Sequence, residues 1–162
     1  MNTTPAEFEI MLREAVSKAI EAAPRAVDDL VLCASKAAEA VARVTKDAAA
    51  LELVPVEREA GTTPTYQLQF RKVDSEAPPS DLGIYRVTEA GYPVQRWYSR
   101  AKWEGHPEQP DGEYTTYGGL EGNFKWMLSN PDSRLVSLVT FFQQQPTVET
   151  KPTTRKRPTI RK

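Results

Sequence analysis

Within residues 82–103 the chain concentrates side chains suited to recognition: Tyr85, Arg86, Arg96, Trp97, Tyr98, Arg100, Lys102 and Trp103. Aromatic faces stack on nucleobases, and Arg contacts phosphate or lies over a ring. The same residue types supply much of the binding energy between proteins. Two readings stand. Either the set is a partner-binding face, or Trp97 and Trp103 pack under helices while the Arg residues solubilise the opposite side.

A second concentration closes the chain. Residues 146–162 hold Lys151, Arg155, Lys156, Arg157, Arg161 and Lys162 against one acidic residue, with three Pro and five Thr. With almost nothing to bury, this stretch is expected to be a disordered basic tail able to meet phosphates or an acidic partner. The remainder is mildly acidic: seven Lys or Arg against eleven Asp or Glu in 1–59, and eight against ten in 60–145. That balance argues against a domain that wraps nucleic acid. Nucleic-acid contact through the tail and the hairpin aromatics is therefore the alternative function, and protein interaction the first.

Reactive chemistry finds little to work with. Cys33 and His106 are the only residues of their kinds, which removes Ser-His-Asp and Cys-His catalysis and most zinc sites. Glu7/Glu9 and Asp28/Asp29 read as carboxylates at helix starts, and Gly118-Gly119 as a flexible helix entry. Neither an enzymatic activity nor a cofactor is expected. No apolar run approaches the roughly 18 residues of a membrane span. The first residues lack the apolar core of a secretory signal, so a cytoplasmic setting is expected.

The elements that must position these residues can be read in order. Thr4-Pro5-Ala6-Glu7 has the form of a capping box, followed by Phe8, Leu12, Ala15, Val16, Ala19 and Ile20 at helical spacing. Pro24 predicts an end or a sharp bend. A second, Ala-rich helix over 25–49 carries a thin heptad seam of Val27, Leu30, Ala34, Ala37, Val41, Val44, Ala48 and Leu51. The pair either folds back on itself over a sheet or forms a coiled-coil homodimer through 8–51.

Pro55 makes 51–58 an edge strand or extended linker, and 61–64 a turn. Tyr66, Leu68 and Phe70 alternate with polar residues as a half-buried strand. Residues 84–88 and 92–99 form a hairpin turning at Ala90-Gly91. On it Tyr85 and Val87 share one face, and Tyr92, Val94, Arg96 and Tyr98 alternate with Gln95 and Trp97. A loop is expected over 105–112. Two short helices follow, around 120–128 and, with Asn130 as cap, over 135–142, where a strand is the lesser alternative.

The expectation is an α+β protein: a helical segment over 1–50, a small α+β domain over 51–145 built on the hairpin, and the tail over 146–162. Its expected role is a non-enzymatic interaction or assembly module.

Overall fold

The computed structural model describes residues 2–56 and 63–144; four residues inside the first helix, 19 and 22–24, are described in backbone only. The basic tail and the first two residues of the 61–64 turn lie outside the described residues. The protein is α+β.

The first element, α1, is one helix of 40 residues, Pro5–Val44. Its start is the expected capping box: the Thr4 hydroxyl accepts from the Glu7 amide, and the Glu7 carboxylate accepts from the Thr4 amide at 2.6 Å. The expected helical pair is corrected here, because the helix runs through Pro24 without a break. A proline inside a helix costs about 3 kcal/mol. The neighbouring Ala22, Ala23 and Ala26 have the highest helix propensity of any residue, and packing on the sheet holds the downstream half. The helix ends five residues earlier than expected. Thr45 donates to the Val41 carbonyl at 2.8 Å and accepts from the Ala49 amide, while Lys46 and Asp47 turn the chain with positive φ.

Five strands follow as an antiparallel meander in the order β1-β2-β3-β4-β5: Ala49–Pro55, Thr65–Lys72, Ser80–Thr88, Gly91–Trp97 and Gly112–Tyr114. β1 is an edge strand, as Pro55 implied. A short helix, α2 (Arg100–Gly105), lies between β4 and β5. It was not anticipated, although Ser99 caps it by accepting from the Lys102 amide. The last helices are α3 (Tyr117–Ser129) and α4 (Arg134–Gln144), so 135–142 is helical. Its cap is corrected: Asn130 closes α3, and Ser133 accepts from Val136 while donating to the Met127 carbonyl.

The sheet separates two cores. On one face Leu51, Leu68, Phe70, Leu82, Tyr85, Val87 and Val94 meet the second half of α1 and the inner faces of α3 and α4. On the other, Val56, Ile84 and Trp97 form a small cluster with Trp103 of α2. Helix α1 and the sheet thus share one core across residue 50.

One residue sets the phase between the two faces. Leu82 and Tyr85 both point into the larger core although they are three apart, which strict alternation forbids. Gly83 is the extra residue: the β2–β3 register shifts beside it, and its φ is +120°. Such bulges leave one residue unpaired and re-aim the strand.

Candidate interaction surface

The recognition set of the hairpin divides between the two faces, and three of its eight members, Tyr85, Arg96 and Trp97, are buried. Trp97 and Tyr85 are fully buried and Arg96 is 6 % exposed. Trp97 donates its indole N–H to the His106 carbonyl at 2.9 Å, and Arg86 lies 4.8 Å over its ring. Tyr85 stacks on Phe124 with ring centroids 5.5 Å apart and donates to Asn123 at 2.6 Å. Burial pushes its phenol far above the ordinary range. Neither ring is available to a base or a partner side chain.

Arg96 is the unusual member. Its guanidinium sits 5.5 Å from the Tyr85 ring and 5.0 Å from that of Tyr98, and donates to the Leu82 carbonyl at 3.1 Å. Among the described residues no carboxylate pairs with it, and its Nε has no partner. The rings, the Leu82 carbonyl and Met127 Sδ, which accepts at 3.5 Å, hold a cation where an ion pair would be usual. An apolar chain of similar length keeps much of the packing and removes the desolvation cost of the buried cation. Arg96→Met is therefore expected to unfold in urea within about 1 kcal/mol of the parent, and Arg96→Ala to lose about 2–5 kcal/mol. If both variants lose the same amount, the charge and not the packing is what holds the site.

The remaining members are exposed in part but engaged. Arg86 donates to Gln95 at 2.8 and 3.0 Å and to the Pro107 carbonyl. Arg100 pairs with Glu104 and donates to Gln67, while its amide donates to Asp81. Lys102 pairs with Asp111 at 3.0 Å. Burial pushes the Asp111 carboxyl up, but the Tyr98 amide and the Lys102 ammonium outweigh it and leave it below the usual range. Tyr98 is the exposed ring of the set, between Arg96 and Lys102. Trp103 is half-buried against Trp97, its indole N–H without a partner. The basic set of the tail, Lys151, Arg155, Lys156, Arg157, Arg161 and Lys162, lies outside the described residues.

Among the described residues a run of exposed apolar side chains lies elsewhere. Phe8, Leu12, Val16 and Ile20 of α1 are 49–68 % exposed. In the second half of the same helix Ala26, Leu30, Cys33 and Ala34 are buried in the core. The two groups are related by a fixed offset. Phe8, Leu12, Ala15 and Val16 each lie eighteen residues before Ala26, Leu30, Cys33 and Ala34, and eighteen residues are five full turns. One continuous apolar face therefore runs along α1; the domain covers its second half and leaves the first half bare.

Comparison of the chain with protein-family models, with curated proteins and with solved structures returned no match. The surface must be read from its own chemistry. Among the described residues no cluster of His, Cys, Asp or Glu could hold a metal ion, and no helix is long and apolar enough to cross a membrane. A shallow apolar hollow of about 230 Å³ lies between α1 and α4, lined by Val41, Val44, Leu135 and Val139.

Sequence reasoning placed Phe8, Leu12, Val16 and Ile20 on one helical face. A second helix over 25–49 was expected either to fold back over them or to pair with them in a coiled-coil homodimer. It passed over Trp126, which is half-exposed on α3; its place outside the Leu120, Phe124, Met127 spacing was the available signal.

Proposed function

We propose that this protein is a non-enzymatic assembly module whose docking element is the first half of α1. The observation that carries this reading is the bare apolar face over residues 8–20. Isolated proteins rarely leave a contiguous apolar helix face of this kind uncovered. The face has the i, i+4, i+8 spacing by which an amphipathic helix docks on another helix or in a groove. The compact α+β unit serves as the body that carries it. The hairpin contributes by bracing this body, with Tyr98, Arg100 and Lys102 as the exposed members of its set. The nucleic-acid alternative rests on the tail alone, since the rings it called on for stacking are mostly buried.

The test compares the gently purified chain with a variant carrying Leu12→Glu and Val16→Glu. The parent is expected to carry a stoichiometric protein component, either a second copy or another chain, seen as a native mass above 18.1 kDa. The variant is expected to lose that component while still unfolding cooperatively as a folded monomer, because both positions lie outside the core. A bare monomer in both forms sinks the proposal.

A further inference from the structure

We infer that the free edge of β1 is a further docking site, which takes one extended peptide strand with apolar side chains at alternate positions. Backbone pairing is the first argument. The Val56 amide donates to the Thr65 carbonyl at 2.9 Å, and the Val73 amide to the Ala48 carbonyl at 3.0 Å. Between these bonds the register of β1 on β2 is unbroken. Residues 50, 52 and 54 therefore turn their amides and carbonyls to β2, and 49, 51, 53 and 55 turn theirs outward. The Thr45 hydroxyl takes the Ala49 amide at 3.2 Å. Among the described residues nothing pairs with the amides and carbonyls of Leu51 and Leu53 or with the Pro55 carbonyl. Such an edge, without a bulge, is a template for another strand.

The hollow beside the edge is the second argument. It lies between β1 and α1, holds about 220 Å³, and is lined by Val31, Ala34, Ala38, Leu51, Leu53 and Tyr66 among others. In an antiparallel ladder the residues opposite Leu51, Leu53 and Pro55 bond to the edge, and their side chains stand over the hollow. The residues between them face away, beside Ala50, Glu52 and Val54. The edge thus selects an extended backbone, and the hollow selects apolar groups at every second position. The β1 of a second copy meets only the first demand. Its side chains on that face are Leu51, already only 4 % exposed in its own core, and Leu53, which lines its own hollow.

Charge sets the basic end of the partner. Val31 of α1 and Pro55 of β1 share the hollow, each about 20 Å along its element from the turn that joins the two. Helix and strand therefore run in opposite directions away from that turn. Asp28 precedes Val31 by one turn, and among the described residues it makes no ion pair. An antiparallel partner strand begins at this end, so Lys or Arg is favoured at its first position.

Amide hydrogen exchange of the full chain tests the site, with acetyl-Lys-Val-Thr-Val-Thr-Val-Lys-amide as the probe. Without peptide, Leu51 and Leu53 are expected to exchange fast beside slow Ala50, Glu52 and Val54. Peptide at about ten times its dissociation constant is expected to slow Leu51 and Leu53 about tenfold. N-methylation of the three Val amides is expected to abolish this protection. N-methylation of the two Thr amides is expected to spare it, because those amides point away from β1. Ser in place of the three Val is expected to abolish it too. Equal action of the two methylated peptides, or no protection by the parent peptide, overturns the site. Protection of Leu51 and Leu53 before peptide is added overturns an outside partner. A native mass of 18.1 kDa then assigns the edge to another segment of this chain, and twice that mass to a second copy. Leu12→Glu with Val16→Glu is expected to leave peptide binding unchanged, so this site and the α1 face stand or fall separately.

Discussion

Gly83→Ala is expected to destabilise the domain by about 3–5 kcal/mol, a large loss for one added methyl group. Two penalties coincide at this position. A φ of +120° is closed to residues with a Cβ, and an added Cβ would sit 2.5 Å from the Trp97 carbonyl oxygen. The obstacle is backbone of the neighbouring strand, so no side chain can swing aside. Relief would require the bulge to straighten, which would move Ile84 and Tyr85 to the wrong faces. Chemical denaturation of Gly83→Ala beside Gly122→Ala measures this. Gly122 lies inside α3 with nothing within 4 Å of an added Cβ, so its substitution is expected to stabilise slightly, by about 0.5–1 kcal/mol. Equal effects at the two glycines would show that the bulge is not a requirement of the fold.

The second large effect is expected at Trp97. Trp97→Ala should cost about 3–5 kcal/mol. The indole is fully buried against Val56, Ile84 and Trp103, and its N–H is satisfied by His106. The small core between the sheet and α2 has little else to fill it. Trp97→Phe keeps a ring under Arg86 and loses the bond to His106, so a cost of about 1–2 kcal/mol is expected. Urea titration of the two variants gives both numbers, and a loss below about 1 kcal/mol for Trp97→Ala would contradict this packing. Association through α1 should survive the substitution below the unfolding temperature, because the α2 cluster and the overhang do not touch. Loss of association by a still folded Trp97→Ala protein would return the hairpin to the binding surface.

Much of the sheet was legible in the sequence because alternation is a local signal. Tyr66, Leu68 and Phe70 announced β2, and the facing of Tyr85 with Val87, and of Tyr92, Val94 and Arg96 together, follows from the pleat. The Thr4 capping box was equally local. The errors have non-local causes. Pro24 looked like a boundary because its penalty is visible in the sequence, whereas the packing of α1 on the sheet is not. Helix α2 is too short to show a period, so only the Ser99 cap signalled it. Asn130 and Ser133 both suit a cap, and the Ser133 bond to the Met127 carbonyl decided between them.

The functional site was harder to locate for a related reason. Arg, Tyr and Trp mean recognition when exposed and bracing when buried, and composition cannot separate the two. Arg96 shows this most clearly, because the rings that hold the cation come from β3 and from the residue after β4. The overhang was misjudged in the opposite direction. Its apolar residues were read correctly as a helical face, and the element assumed to cover them turned out to be the continuation of the same helix.

That continuity ties the direction of the bare face to the body through the helical phase alone. A residue inserted between Ile20 and Ala26 would turn the first half by about 100° relative to the body and lengthen the helix by about 1.5 Å. Seven residues would return it to nearly its starting orientation. The number of residues in this stretch therefore fixes the direction in which the bare face looks from the domain, independently of which residues they are.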